Sequence, residues 1–265
     1  MPGRLHSGGA GTVARGARTA IQFLTRLPLP AWRYEANEAA AAAYFFSLVG
    51  LALGAVLAAL ELVLRPHVAL LPRLMLVWAV STVATGGLHL DGLADTADGW
   101  GAWSREQALT IMRDSRIGSF GVLALVFGLG LQLAALASLP LPRLSWALLL
   151  APGWGRASLV LAAAIGPSAR ESGAGATFID GVRLRHVAAA LTTMVVATLL
   201  VLWRFGMPLP QVGMVSGILL GITLVTTLGW TAWCRKKLGG QTGDTLGATQ
   251  EAVVTAVLWT LMVLR

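Results

Sequence analysis

The run SFGVLALVFGLGLQLAALASL, residues 119–139, contains no charged residue. A helix that crosses a bilayer needs roughly 20 predominantly apolar residues, and this stretch supplies them without a break. Working outward from it, six further runs have the same character, at about 39–63, 74–90, 144–165, 186–203, 209–233 and 245–264. The second ends in Gly86-Gly87 and runs into a polar motif. The run at 144–165 is interrupted by Pro152, Gly153 and Arg156. Composition agrees with lipid as the solvent: 56% of the residues are hydrophobic and 12% charged, against about a quarter charged in a soluble domain. The fold class expected is all-α, a polytopic membrane bundle of about seven transmembrane helices. Residues 1–265 form a single integral-membrane domain, with an arm over 1–36 and the bundle over 37–265. No room is left for a separate soluble domain.

The start of the chain, Met1 to Thr12, is rich in glycine and lacks the apolar core of a signal peptide. Val13, Ala17, Ala20, Leu24 and Leu27 then recur at helical spacing among Arg15, Arg18 and Arg26. That pattern predicts an amphipathic helix at the membrane interface, ended by Pro28-Leu29-Pro30. With the N-terminus in the cytoplasm and seven crossings, 14 of the 20 Lys and Arg fall on the cytoplasmic side and five on the other, Arg156 lying within a span. The positive-inside bias supports this orientation. The formal net charge of +8 then reports orientation and contact with anionic lipid. Nucleic acid is not an expected partner, because the basic residues are spread over several loops. The single cysteine, Cys234, excludes an intramolecular disulfide, and the four histidines form no zinc-like cluster. Gly50, Gly54, Gly128, Gly130, Gly217 and Gly221 read as helix-packing positions.

Two polar segments, 89–118 and 235–251, fall on the same cytoplasmic side, and they hold most of the chemistry. In the first, Asp91, Asp95 and Asp98 are spaced i, i+4 and i+7, within about 60° of one helix face. Carboxylates stacked in this way repel one another and call for a cation. Hard oxygen donors suit Mg²⁺, with Mn²⁺ as the alternative. The bland reading is a solvated acidic turn. Downstream, Arg113 and Arg116 flank Asp114 and Ser115, and arginine forks match phosphate oxygens; a positive-inside anchor explains the same pair. In the second segment, Gly239-Gly240-Gln241-Thr242-Gly243-Asp244 would let the backbone approach an anion. Asp244 could equally be an N-cap. Asp244 and Glu251 lie on one helix face. Arg156, costly in lipid, should face the interior or a wet cavity. His89, at a helix end, is either a ligand or structural.

Taken together, FLTRLP (23–28), GGLHLDGLADT (86–96), IMRDSRIG (111–118) and GGQTGDTLGA (239–248) resemble the cobalamin synthases, the adenosylcobinamide-GDP ribazoletransferases, with all motifs in order over about residues 20–251. The resemblance implies a Mg²⁺-dependent enzyme of the bacterial inner membrane, with its active site facing the cytoplasm. A ribose hydroxyl of α-ribazole, or of its 5′-phosphate, would attack the cobinamide-side phosphate of adenosylcobinamide-GDP. GMP would leave, and adenosylcobalamin or its 5′-phosphate would form. It implies Asp91, Asp95, Asp98 and Asp244 as catalytic and metal-holding residues, with Asp98 or Asp244 as the base. His89, Arg113, Asp114, Arg116, Arg156 and Gln241 would bind substrate. Membrane lipid, a second copy of the chain and other late cobalamin-pathway enzymes are the further partners expected. Two other readings remain. A CDP-alcohol phosphotransferase should show D-G-x-x-A-R, whereas Asp95 follows Asp91-Gly92-Leu93-Ala94 here. A carboxylate-based transporter should carry acids deep in several spans and some repeat symmetry.

Overall fold

The computed structural model describes residues 9–30 and 36–264. Arg4 and Arg33 of the basic arm, and Arg265, lie outside them. Among the described residues the chain is helical, with no strand and one isolated bridge, Ser168 to Gln241. The helices are α1 (Gly9–Leu24), α2 (Ala36–Ala42), α3 (Phe46–Leu64), α4 (Leu70–Thr85), α5 (Leu88–Trp100) and α6 (Arg105–Ile111). They continue with α7 (Ser119–Ala137), α8 (Arg143–Ile165), α9 (Ala174–Gly181), α10 (Leu184–Arg204), α11 (Leu209–Leu238) and α12 (Gly243–Val263). Six are long and apolar enough to cross a bilayer: α7, α8, α10, α11, α12, and α3 with its lead-in from Glu38.

The remaining candidate span is a bent pair, α4 and α5. α4 has 16 residues, about 24 Å, which is short for a hydrocarbon core of about 30 Å. After Gly86 and Gly87 the chain turns by 89° into α5. Both glycines have left-handed backbones, φ +65° and +69°, which side chains with a Cβ rarely adopt. The side chain of Arg26 packs across Gly86, and Arg26 N–H donates to Ala84 O at 2.7 Å. The acidic α5 therefore leaves the direction of α4 and packs on α12 and α7, and the run at 74–90 is two elements rather than one.

α8 is the central helix. Nearly all of it is buried, as an all-round apolar helix should be. It corrects one sequence expectation. Pro152, Gly153 and Arg156 do not interrupt the span: α8 runs unbroken from Arg143 to Ile165. Neighbouring helices enclose it, and a proline inside a packed transmembrane helix is tolerated for that reason. α3 packs so closely that a Cβ at Gly50 would fall 2.5 Å from the carbonyl oxygen of Pro152. Gly54 presses on the backbone of Leu149. These two glycines are packing positions. Gly130, Gly217 and Gly221 are not, because open space surrounds each. α1 ends at Leu24, and its buried Ala20 and Leu24 join the main core. Its apolar stripe thus faces protein as well as the surroundings, where Val13 is exposed.

Candidate active site

The polar segments meet at one end of the bundle. α5 crosses the start of α12 with almost no space between backbones. A Cβ at Gly92 would sit 2.6 Å from the Asp244 carbonyl oxygen, and one at Gly247 would sit 3.2 Å from the His89 Cα. Two facing glycines therefore let Asp91, Asp95 and Asp244 share one end of the crossing. α12 is started by a capping box in which Thr242 and Thr245 exchange side-chain and backbone hydrogen bonds. Asp244 is in its first turn rather than at its N-cap, which is Thr242.

The loop after α8 is tied to the loop before α12. Gln241 N–H donates to Pro167 O and Ala169 N–H donates to Gln241 O, each at 2.7 Å. This pairing delivers Arg170 to Asp244, and the two form an ion pair of 2.8 Å. Arg105 clasps the same region: its guanidinium donates to Leu238 O at 2.7 Å and Ala169 O at 3.0 Å. Asp91, Asp244 and Arg170 line a cavity of about 260 Å³ together with Phe23, Phe46 and Phe178.

Electrostatics on α5 follow from this geometry. Burial first, then the charges of Asp91, Asp244 and Asp98, push the Asp95 carboxyl up to about 7, against a smaller opposing effect of Arg170. Burial and the neighbouring carboxylates together outweigh the one arginine nearby. Among the described residues no three His, Cys, Asp or Glu side chains stand close enough to hold a metal ion as arranged. Mg²⁺ does not require three. It commonly takes one or two carboxylates and completes its shell with water and substrate phosphate, so Asp91 and Asp95 fit it chemically.

The other sequence candidates are dispersed. Asp98 turns away to α7: its two oxygens accept from Gly118 N–H at 2.7 Å and Gly121 N–H at 2.8 Å. This is a cap on the N-terminus of a crossing helix. Arg116 is wrapped around Asp114, at 2.6 Å, on a turn where its side chain is 87% exposed. That contact holds the Asp114 carboxyl down at about 2. Arg113 is exposed on the same turn. None of these three lines the cavity. Gln241 is fully buried, its Oε1 accepting from the Thr245 hydroxyl at 2.6 Å. Arg156 is buried in the interior and lines a separate small cavity of about 40 Å³ with Glu251 and Gln132. There Gln132 donates to Glu251 Oε2 at 2.9 Å and accepts from Trp78 Nε1 at 2.8 Å. His89, also buried, lines both cavities.

Sequence reasoning missed Arg170 and the three phenylalanines. Arg170 stands in Gly166-Pro167-Ser168-Ala169-Arg170-Glu171-Ser172-Gly173, a turn-rich run whose cation could have flagged it. The phenylalanines lie on three helices far apart in sequence.

The model of the cobalamin-5-phosphate synthase family matches residues 16–262. The chain belongs to this family. Membership of the cobalamin-5-phosphate synthases bears out the resemblance drawn from the four motifs and decides among the three readings. The protein is an enzyme, a transferase of cobalamin synthesis, and a multi-pass membrane protein. Relatives named adenosylcobinamide-GDP ribazoletransferase include that of Syntrophobacter fumaroxidans, 39% identical over 245 residues, covering 91% of this chain and 95% of the relative. The Sinorhizobium sp protein is 37% identical over 250 residues, with 91% and 93% covered. That of Klebsiella pneumoniae is 38% identical over 241 residues, with 88% and 93% covered. No solved structure matches the chain significantly.

Proposed function

We propose that this cobalamin-5-phosphate synthase transfers the phosphoryl-linked corrinoid of adenosylcobinamide-GDP to α-ribazole or its 5′-phosphate, in a Mg²⁺-dependent reaction at the cytoplasmic face of the bacterial inner membrane. The observation that carries the site is the meeting of Asp91, Asp95, Asp244 and Arg170 at the α5–α12 crossing, beside a cavity. In the transfer, a ribose oxygen bonds to the cobinamide-side phosphorus, the bond from that phosphorus to the bridging oxygen breaks, and GMP departs with the bridging oxygen.

Phosphoryl transfer asks a protein mainly for positioning and charge neutralisation. Asp91 and Asp95 would hold the Mg²⁺, which when bound supplies charge neutralisation at the phosphate oxygens. Arg170, on the cavity wall, is the guanidinium we assign to phosphate. Neither Arg116 nor Arg156 lines this cavity. Of the two carboxylates that the sequence leaves as base, Asp98 has both oxygens occupied by backbone N–H groups. Asp244 is therefore assigned the proton of the attacking hydroxyl. Cytoplasmic placement rests on the distribution of Lys and Arg. Self-association and contact with neighbouring pathway enzymes stay part of the same reading.

The test is GMP release by the detergent-purified protein given both substrates. Release that needs α-ribazole and Mg²⁺, stops with EDTA and is lost in Asp91→Ala supports the proposal. A folded protein that releases no GMP under these conditions refutes it. An Asp244→Asn enzyme of full activity would remove Asp244 from the mechanism.

A further inference from the structure

The site is assembled from three pieces of chain that lie far apart in sequence. α5 brings Asp91 and Asp95, the loop after α8 brings Arg170, and the start of α12 brings Asp244. The close crossing of α5 and α12 fixes the first piece against the third. Arg170 has no such support of its own, because α8 ends at Ile165 and a loop carries the guanidinium to Asp244.

One side chain reaches both loops from the α5 side. Arg105 opens α6, the short helix that follows α5. Its Nε donates to Leu238 O at 2.7 Å, and a terminal guanidinium nitrogen donates to Ala169 O at 3.0 Å. Leu238 is the last residue of α11, and Ala169 precedes Arg170 in the loop. Arg105 thus ties the α5–α6 segment, the end of α11 and the Arg170 loop at one point. A planar guanidinium suits this task, since its rigid fork presents two donors in fixed directions. The Leu238 carbonyl also belongs to a helix C-terminus, where a cation is favoured.

The surroundings hold Arg105 in this geometry. Ser104 caps α6 by accepting from Gln107 N–H at 3.1 Å, and Gln107 Oε1 accepts from Trp103 N–H at 2.9 Å. Gly239, with φ +76°, leaves the space that the arginine crosses: a Cβ there would sit 3.1 Å from Arg105 Nε. Ala169 and Leu238 also pack with Ala102, Ala108 and Met112 in a small apolar cluster separate from the main core. Lys237 makes a second tie in the opposite direction, donating to Ala102 O. Glu106 is 3.9 Å away and 77% exposed, so the donors of Arg105 serve the two carbonyls rather than an ion pair. Arg105 does not line the cavity of about 260 Å³.

Resting on the function proposed above, we infer that Arg105 is a positioning residue of the transfer reaction: it holds the Arg170 loop against the start of α12, so that Arg170 and Asp244 meet the carboxylates of α5. It touches no reacting group and acts through Arg170 and Asp244.

The experiment is steady-state GMP release by the full-length protein in detergent for Arg105→Gln and Arg105→Lys, with melting temperature and amide hydrogen exchange on the same preparations. Arg105→Gln should lose roughly 10- to 100-fold in kcat, the scale of a misplacement of about 1 Å. The KM of each substrate should stay near wild type, because an interaction that matters in the transition state lowers kcat and kcat/KM together. Arg105→Lys keeps a cation that can reach one carbonyl and should recover part of the loss. The melting temperature should stay near wild type, since the spans and the main core are untouched. Exchange should speed up over residues 167–171 and 239–242, where Ala169 and Gln241 exchange backbone hydrogen bonds, while α8 and α12 stay protected. A lower melting temperature with unchanged kcat makes Arg105 a structural tie alone and overturns the inference. A KM rise at unchanged kcat, the mark of a substrate contact, overturns it as well. Exchange in the two loops identical to wild type also overturns it, and this readout needs no turnover. Should Arg105→Gln not fold, Arg105→Lys carries the same comparison at a smaller loss. Absence of GMP release by the wild type tells instead against the proposed function, and exchange still decides whether Arg105 holds the loops.

Discussion

Asp91 and Asp98 stand on one helix two turns apart, and their surroundings give them different work. Asp98 accepts two backbone N–H groups at the start of α7, a charge-assisted cap whose loss costs about 1–2 kcal/mol. Asp98→Ala should therefore lower the melting temperature in detergent. Asp91→Ala should leave the melting temperature nearly unchanged and abolish GMP release. Equal melting temperatures for the two variants would contradict this division. Asp95 carries a pH signature. Its folded pKa of about 7 is above its ordinary value of 3.8, so the folded chain holds this proton more tightly than the unfolded chain does. In the absence of metal, the favourable contribution of the protonated group is complete at low pH. It is lost as pH rises from about 4 through about 7. A cation that replaces the proton should reverse the trend. Added Mg²⁺ is expected to raise the melting temperature more at pH 8 than at pH 5.5, and Asp95→Asn should flatten the difference. An equal Mg²⁺ shift at both pH values would count against Asp95 as a metal-holding residue. The sequence made the three acids of α5 conspicuous by their spacing. It could not separate them, because i, i+4 and i+7 put all three near one face, and only the arrival of α7 shows which of them caps it.

Among the helices, the decisive contact is the crossing of α5 and α12. Gly92 and Gly247 allow the two backbones to meet: a methyl group at Gly92 must push the helices apart, and one at Gly247 presses on the His89 backbone by a few tenths of an ångström. Gly92→Ala and Gly247→Ala should each cost most of the activity, because the carboxylates separate by a fraction of an ångström where positioning matters steeply. On α11 the glycines at 217 and 221 face open space. Gly217→Ala and Gly221→Ala should be neutral to mildly stabilising, by up to about 1 kcal/mol from helix propensity, with activity retained. Melting temperature and GMP release in the four variants check both statements together. All four glycines look alike in a single sequence, since each sits in a helical run and what it faces belongs to another element. The same limit explains Pro152. Read along the chain it breaks a span, yet within the bundle α8 continues through it unbroken.

At the scale of the whole molecule, the two ends of the bundle differ in how they use charge. At the site end, Arg170 meets Asp244, while Arg105 and Lys237 bind loop carbonyls. At the far end, Arg65 and Arg73 converge on the buried Glu61 at 2.6 and 3.1 Å. Two of the five cations that the positive-inside count assigns to the outer side thus share one buried carboxylate. With Cys234 buried, single cysteines report orientation. In intact cells a membrane-impermeant maleimide should label His67→Cys and leave Ser115→Cys unlabelled until the membrane is opened; both positions are exposed. The reverse pattern would turn the protein over. Sequence by itself determined the solvent, the fold class, six of the crossings and the family. Those properties follow from the length and apolarity of local runs and from motifs contiguous in the chain. The tertiary structure decided that α5 leaves the direction of α4, that Asp98 caps α7, that Arg170 reaches Asp244, and that α1 closes a cavity. Each of these is a contact between residues far apart in sequence, fixed by backbone approach and packing that no local pattern encodes.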